Sequence, residues 1–198
     1  VNDSSADPIL ASLDDHERHR RLDPGAMHDR IAEFPQQLRE GIRLAESIDW
    51  TAFKPTTPAG ICLCGMGGSA IGGDLARLYW ESESPIPMLV VRNYTLPAFI
   101  NSHWFIIASS YSGNTAETLS AAESAHLRRC KRIIALASGG ELSAVASVRG
   151  WPLMTLPPGI MPRATLGYSF AATMIALARL GISGNNPADV AGQLADEI

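Results

Sequence analysis

The amino-acid sequence predicts a doubly wound α/β domain, a five-stranded parallel sheet flanked by helices, preceded by a helical leader. Two observations carry that prediction. From residue 60 onward, short apolar runs alternate with stretches of helical character, the order that builds strand–helix–strand units. Those runs are apolar along most of their length instead of at every second position, as expected of strands covered on both faces.

Each element has a local reason. Charged residues crowd into residues 1–50 and thin out afterwards, so this segment reads as a solvated helical leader. Within it, 8–21 and 27–48 show helical apolar spacing, with Ile31, Phe34, Leu38, Ile42, Leu44 and Ile48 in the second run. Pro35 suits the first turn of a helix and not its interior. The segment 54–60, with Pro55, Pro58 and Gly60, is a loop. Strands are predicted over 61–66, 88–92, 105–110, 132–138 and 153–156, and helices over 69–80, 114–130, 142–149 and 164–180. The α/β domain is accordingly set at 51–182. Asn185-Asn186 interrupts the chain, and 183–198 reads as the start of a connecting helix, without the Gly cap or following Pro that ends one.

Composition narrows the function. The chain has 198 residues, is 46% hydrophobic and 18% charged, and carries a formal charge of −4. That length favours one domain with a full-sized core. The mild acidity offers no footprint for nucleic acid or an anionic membrane surface. Three cysteines, an odd number, do not make a disulfide framework, which points to the reducing cytoplasm. The most apolar stretch, 170–180, is short and contains Thr173 and Arg179, so no membrane span is expected.

In an open parallel sheet, ligands sit at the carboxyl ends of the strands, and two such ends stand out. After the first strand comes Gly65-Met66-Gly67-Gly68-Ser69-Ala70-Ile71-Gly72-Gly73-Asp74. Residues without Cβ let backbone N–H groups approach a ligand closely, and the helix that follows favours an anion at its start. After the third strand comes Ser109-Ser110-Tyr111-Ser112-Gly113-Asn114-Thr115. Its hydroxyls and the backbone N–H groups at a helix start form a neutral cradle for a phosphate dianion. Plain capping is the alternative, since Asn114 and Glu117 make a capping-box pattern. Capping needs one or two of these residues, not five.

These two loops, together with Pro162-Arg163-Ala164-Thr165-Leu166-Gly167-Tyr168-Ser169, resemble the bifunctional phosphoglucose/phosphomannose isomerase family, whose members are built from sugar isomerase (SIS) domains. Val91-Arg92-Asn93-Tyr94, Leu96-Pro97 and Ser138-Gly139-Gly140 are similar to that family as well. The resemblance runs from about Leu22 to Leu180 and covers the first of two SIS domains, the second being expected after Ile198. It implies a sugar-phosphate substrate held at its phosphate by Ser110, Ser112 and Thr115, with Gly67, Gly68 and Ser69 lining the sugar and Arg163 near the reacting carbons. It further implies isomerisation of glucose 6-phosphate or mannose 6-phosphate to fructose 6-phosphate through a cis-enediolate, with no cofactor and no metal, in a cytoplasmic homodimer. The family's base, a Glu, and its ring-opening His lie in the second domain and have no counterpart in this sequence.

Two other readings stand beside this one. Gly65-Met66-Gly67-Gly68-Ser69-Ala70 satisfies the G-x-G-x-x-A pattern of a dinucleotide site, and Arg92 would suit the 2′-phosphate of NADP. That reading leaves the serine-rich loop unexplained. A lone SIS domain could instead bind a phosphosugar without turning it over. His103 and His126 read as surface or structural residues, and Cys62 with Cys64 as packing on one face of a strand.

Overall fold

The computed structural model describes residues 15–53, 56–180 and 186–198. The chain divides into two compact units, one ending at Glu33 and the other running from Phe34 to Ile198. The smaller unit holds α1 (His16–Leu22) and α2 (Met27–Ala32), in which no residue is buried. The side chain of Asp15 caps α1 by accepting from the Arg18 amide at 2.9 Å. The part of the predicted 8–21 helix before Asp15 lies outside the described residues, as do Lys54, Pro55 and residues 181–185.

The larger unit begins with α3 (Phe34–Glu46). The predicted 27–48 run is therefore two helices, and Pro35 falls in the first turn of the second, where its missing N–H has no partner to lose. Five strands follow in the predicted places: β1 (Ile61–Gly65), β2 (Met88–Val91), β3 (Phe105–Ser109), β4 (Arg132–Ala137) and β5 (Leu153–Thr155). Between and after them lie α4 (Gly68–Glu83), α5 (Ala116–Leu127), α6 (Gly140–Arg149), α7 (Leu166–Leu180) and α8 (Pro187–Glu197). All strand pairs are parallel, in the order β2-β1-β3-β4-β5.

Alternate residues of each central strand face opposite layers. Ile61, Leu63, Phe105, Ile107, Ile134 and Leu136 pack in one core with Leu38 and Ala45 of α3, Ala76 and Trp80 of α4, Ala191 of α8 and most of α7. Cys62, Cys64, Ile106 and Ile133 face the other side, with Ala121 and Ala125 of α5. Ala108, Ala135 and Ala137 meet Leu142 and Ala146 of α6 there too. Burial on both faces is what the continuous apolar runs required. The 170–180 stretch is the heart of α7, buried from Gly167 to Leu177. No helix among the described residues is long and apolar enough to cross a membrane.

Candidate functional site

The strand order reverses between β1 and β3, which places the crevice of a doubly wound sheet at their carboxyl ends. The register sets Gly65 beside Ser109, and Ser109 beside Leu136. Both predicted loops therefore open at the same edge, next to the turn after β4. Hydrogen bonds then lock them together. The Ser69 hydroxyl, buried at the start of α4, accepts from the Tyr111 amide at 3.1 Å. The Tyr111 carbonyl accepts from the Ser138 amide at 2.8 Å and from its hydroxyl at 2.7 Å. The Tyr111 phenol donates to the Pro157 carbonyl at 2.7 Å and accepts from the Ile160 amide at 2.8 Å.

The third motif joins the same edge through Gly68. A Cβ there would stand 2.5 Å from the Pro162 carbonyl oxygen and 3.0 Å from the Arg163 Cα, so only Gly allows the backbone of 162–163 to lie on the start of α4. Arg163 sits on the 3₁₀ turn Pro162–Ala164 with an exposed side chain, its Nη2 3.5 Å from the Met161 sulfur. Its guanidinium makes no hydrogen bond to the hydroxyl loop among the described residues. Gly67, exposed with φ 49°, forms the turn into α4.

Within the hydroxyl loop, Ser110 is buried and its Oγ donates to the Thr115 Oγ1 at 2.9 Å. The exposed Ser112 accepts from the Asn114 amide at 3.2 Å. Capping does not account for this loop. The N-cap of α5 is Thr115, whose side chain makes no capping bond, while the Asn114 carboxamide oxygen accepts from the Glu141 amide of α6 at 2.9 Å. α4 likewise starts without a side-chain cap. Two uncapped helix ends thus point partial positive charge at one crevice, an arrangement suited to a small anion. Arg163 is the one Lys or Arg in the loops 66–68, 110–115, 138–140 and 156–163. His103 and His126 lie elsewhere: one precedes β3 and the other ends α5, both toward the amino edge.

Tyr111, Asn114 and Ser138 hold the crevice together, whereas the sequence marks Asn114 only as a capping-box residue and gives Tyr111 and Ser138 no role of their own. The signal was present only in part, as a large aromatic residue in an otherwise small and polar loop. Tyr111→Phe removes a phenol that bridges two backbone groups, for an expected loss of about 1–2 kcal/mol of stability. Hydrogen exchange of the Ile160 amide should speed up in that variant. Unchanged exchange at Ile160 would mean that the phenol does not hold the 157–163 segment.

Elsewhere the candidates are structural. Cys62 and Cys64 lie with their sulfurs 3.8 Å apart in the buried sheet face. Its sulfur contact with Cys62, together with burial, pushes the Cys64 thiol well above the usual range, so it is no nucleophile at neutral pH. Arg92, the residue an NADP site would need, forms an ion pair with Asp74 of α4. No cluster of three or more His, Cys, Asp or Glu residues that could hold a metal ion occurs among the described residues.

No family model matches the chain. Over 156 residues it is 39% identical to the bifunctional phosphoglucose/phosphomannose isomerase of Caldicellulosiruptor bescii, covering 79% of this chain and 45% of that protein. Over 143 residues it is 40% identical to the protein of the same name from Thermoplasma acidophilum, covering 72% and 43%. The chain thus spans about half the length of the curated relatives it matches. Among solved structures, the C-terminal domain of glucosamine-fructose-6-phosphate aminotransferase from Francisella tularensis superposes with a TM-score of 0.61 at 18% identity, over 86% of this chain and 53% of that one. That likeness concerns the fold. The chain is homologous to the bifunctional phosphoglucose/phosphomannose isomerases, on an α/β domain of the SIS type.

Proposed function

We propose that the carboxyl-edge crevice binds the phosphate of a hexose 6-phosphate, and that this chain supplies the phosphate- and sugar-holding part of an aldose–ketose isomerase. The observation that carries the reading is the hydroxyl loop at an uncapped α5, tied by the Ser69–Tyr111 bond to the glycine turn of α4. In this assignment Ser110, Ser112, Thr115 and the first amides of α5 hold the phosphate. Gly67, Gly68 and Ser69 line the sugar, bringing C1 and C2 toward Arg163.

Interconversion of glucose 6-phosphate or mannose 6-phosphate with fructose 6-phosphate moves a proton between C2 and C1 through a cis-enediolate. The oxygens of that intermediate gain negative charge that the ground state lacks. A guanidinium stays protonated throughout, so Arg163 can stabilise this charge without exchanging a proton. The proton transfer itself needs a base, and the crevice loops offer no histidine or lysine. That step is assigned to residues of the whole protein outside these loops, in keeping with relatives about twice as long.

Thermal shift provides the test. Fructose 6-phosphate should raise the melting temperature in a saturable way, by about 1.4 kcal/mol of added stability when its concentration is roughly nine times Kd. NADP should not compete with it. Stabilisation by NADP and none by fructose 6-phosphate would replace this assignment with the dinucleotide reading.

A further inference from the structure

The amino edge of β4 and β5, opposite the crevice, holds a cavity of about 500 Å³. Arg129, Lys131 and Arg149 line it with His126, Trp151 and Ile133, and no acidic residue does. Three permanent cations on one cavity run against a chain whose net charge is −4. Helix ends explain part of this cluster. α5 and α6 both finish here, and cations are favourable near the negative end of a helix. That accounts for His126 and Arg149, which lie in the last turns of α5 and α6.

Arg129, just past the end of α5, and Lys131, just before β4, lie outside those last turns. Their neighbours are committed to the fold: Arg128 donates to the carbonyls of Leu96, Pro97 and Ile100, and Arg132 to those of Thr56 and His103. Arg129 and Lys131 are exposed, and their side chains have no partner among the described residues. Arg129 has φ 61° because it is the left-handed residue that closes α5, its amide donating to the His126 carbonyl at 2.8 Å and the Cys130 amide to the Ala125 carbonyl at 3.0 Å. Arg149 is only half used. One nitrogen pairs with Glu123 at 2.5 Å and the guanidinium lies 5.4 Å from the Trp151 ring centre, yet its Nη1 is buried with no hydrogen-bond partner.

We propose that this cavity is a nucleotide site, with the phosphates on Arg129, Lys131 and Arg149 and the base against the Trp151 indole. The volume is in the range of small-molecule sites. Guanidinium forks and a lysine ammonium are phosphate binders, and the half-buried indole supplies an aromatic surface for the base. An inorganic polyanion would satisfy the cations without touching the indole, whose ring Arg149 and His126 already approach at 5.4 and 6.0 Å. The site is independent of the crevice and of the sugar-phosphate assignment.

Calorimetric titration of the whole chain with ATP and with tripolyphosphate tests it. One ATP site is expected, unaffected by fructose 6-phosphate, with tripolyphosphate bound at least ~10-fold more weakly, about 1.4 kcal/mol. The double variant Arg129→Glu/Lys131→Glu should weaken ATP by at least ~10-fold at an unchanged melting temperature, since both side chains are exposed. If that variant fails to fold, Arg129→Ser/Lys131→Ser carries the same expectation. Absence of ATP binding, displacement of ATP by fructose 6-phosphate, full affinity in the folded double variant, or tripolyphosphate binding as tight as ATP would each overturn the proposal.

Discussion

A Gly113→Ala variant is expected to melt roughly 6–12 °C below the parent protein and to lose sugar-phosphate binding. Gly113 has φ 72°, and a Cβ there would stand 1.9 Å from the Gly139 carbonyl oxygen and 2.8 Å from its carbonyl carbon. Both neighbours are backbone, so neither can swing aside as a side chain would. Left-handed strain costs about 1–2 kcal/mol and forced overpacking about 1–3, together on the order of 3 kcal/mol. The same move would disturb the Gly113 amide, which donates to the Ser110 carbonyl at 2.9 Å, and the Gly113 carbonyl, which accepts from the Leu142 amide at 2.9 Å. The hydroxyl loop would thus lose its shape as well as its stability. Gly192→Ala is the control: the position lies within α8 with nothing within 4 Å of an added Cβ. It should be neutral or stabilising by up to about 1 kcal/mol. Equal melting temperatures for Gly113→Ala and the parent would mean that the 113–139 contact is not maintained in solution.

The second large effect separates binding from stability. Ser112→Asp should weaken fructose 6-phosphate by at least ~100-fold, because a carboxylate facing a phosphate dianion costs several kcal/mol. The fold should tolerate it. Ser112 is exposed, and its oxygen accepts from the Asn114 amide, a turn that Asp can make equally well. Ser112→Asn, with a neutral acceptor of the same shape, should retain binding within a few-fold. Undiminished affinity in a well-folded Ser112→Asp protein would remove Ser112 from the phosphate site.

Much of this was legible because the strands are apolar on both faces. The runs at 61–66, 105–110 and 132–138 match β1, β3 and β4 to within a residue at each end, and no loop has that composition. The gathering of the three motifs was also legible, since a parallel sheet brings its strand ends to one edge whatever the side chains. Helix starts were less so. The predicted 114–130 helix begins at Ala116, because Asn114 spends its carboxamide on the Glu141 amide and not on its own helix. The capping-box pattern is local, whereas the bond that wins spans 27 residues. Tyr111 was illegible for the same reason: its partners Pro157 and Ile160 lie 46 and 49 residues away. Likewise, the spacing of Leu38 marked an apolar helix face, but only the folded chain reveals that the face covers α7 and the sheet.

The central claim is that the loop from Ser110 to Thr115 and the start of α5 hold the phosphate of a sugar phosphate. Amide chemical shifts of Gly113 to Thr118, followed by nuclear magnetic resonance during a titration with fructose 6-phosphate, address it directly. The expected result is a saturable shift concentrated at these amides, reproduced by glucose 6-phosphate and absent with unphosphorylated fructose. A titration that leaves these amides unmoved while others shift, or an equal response to fructose without its phosphate, would contradict it.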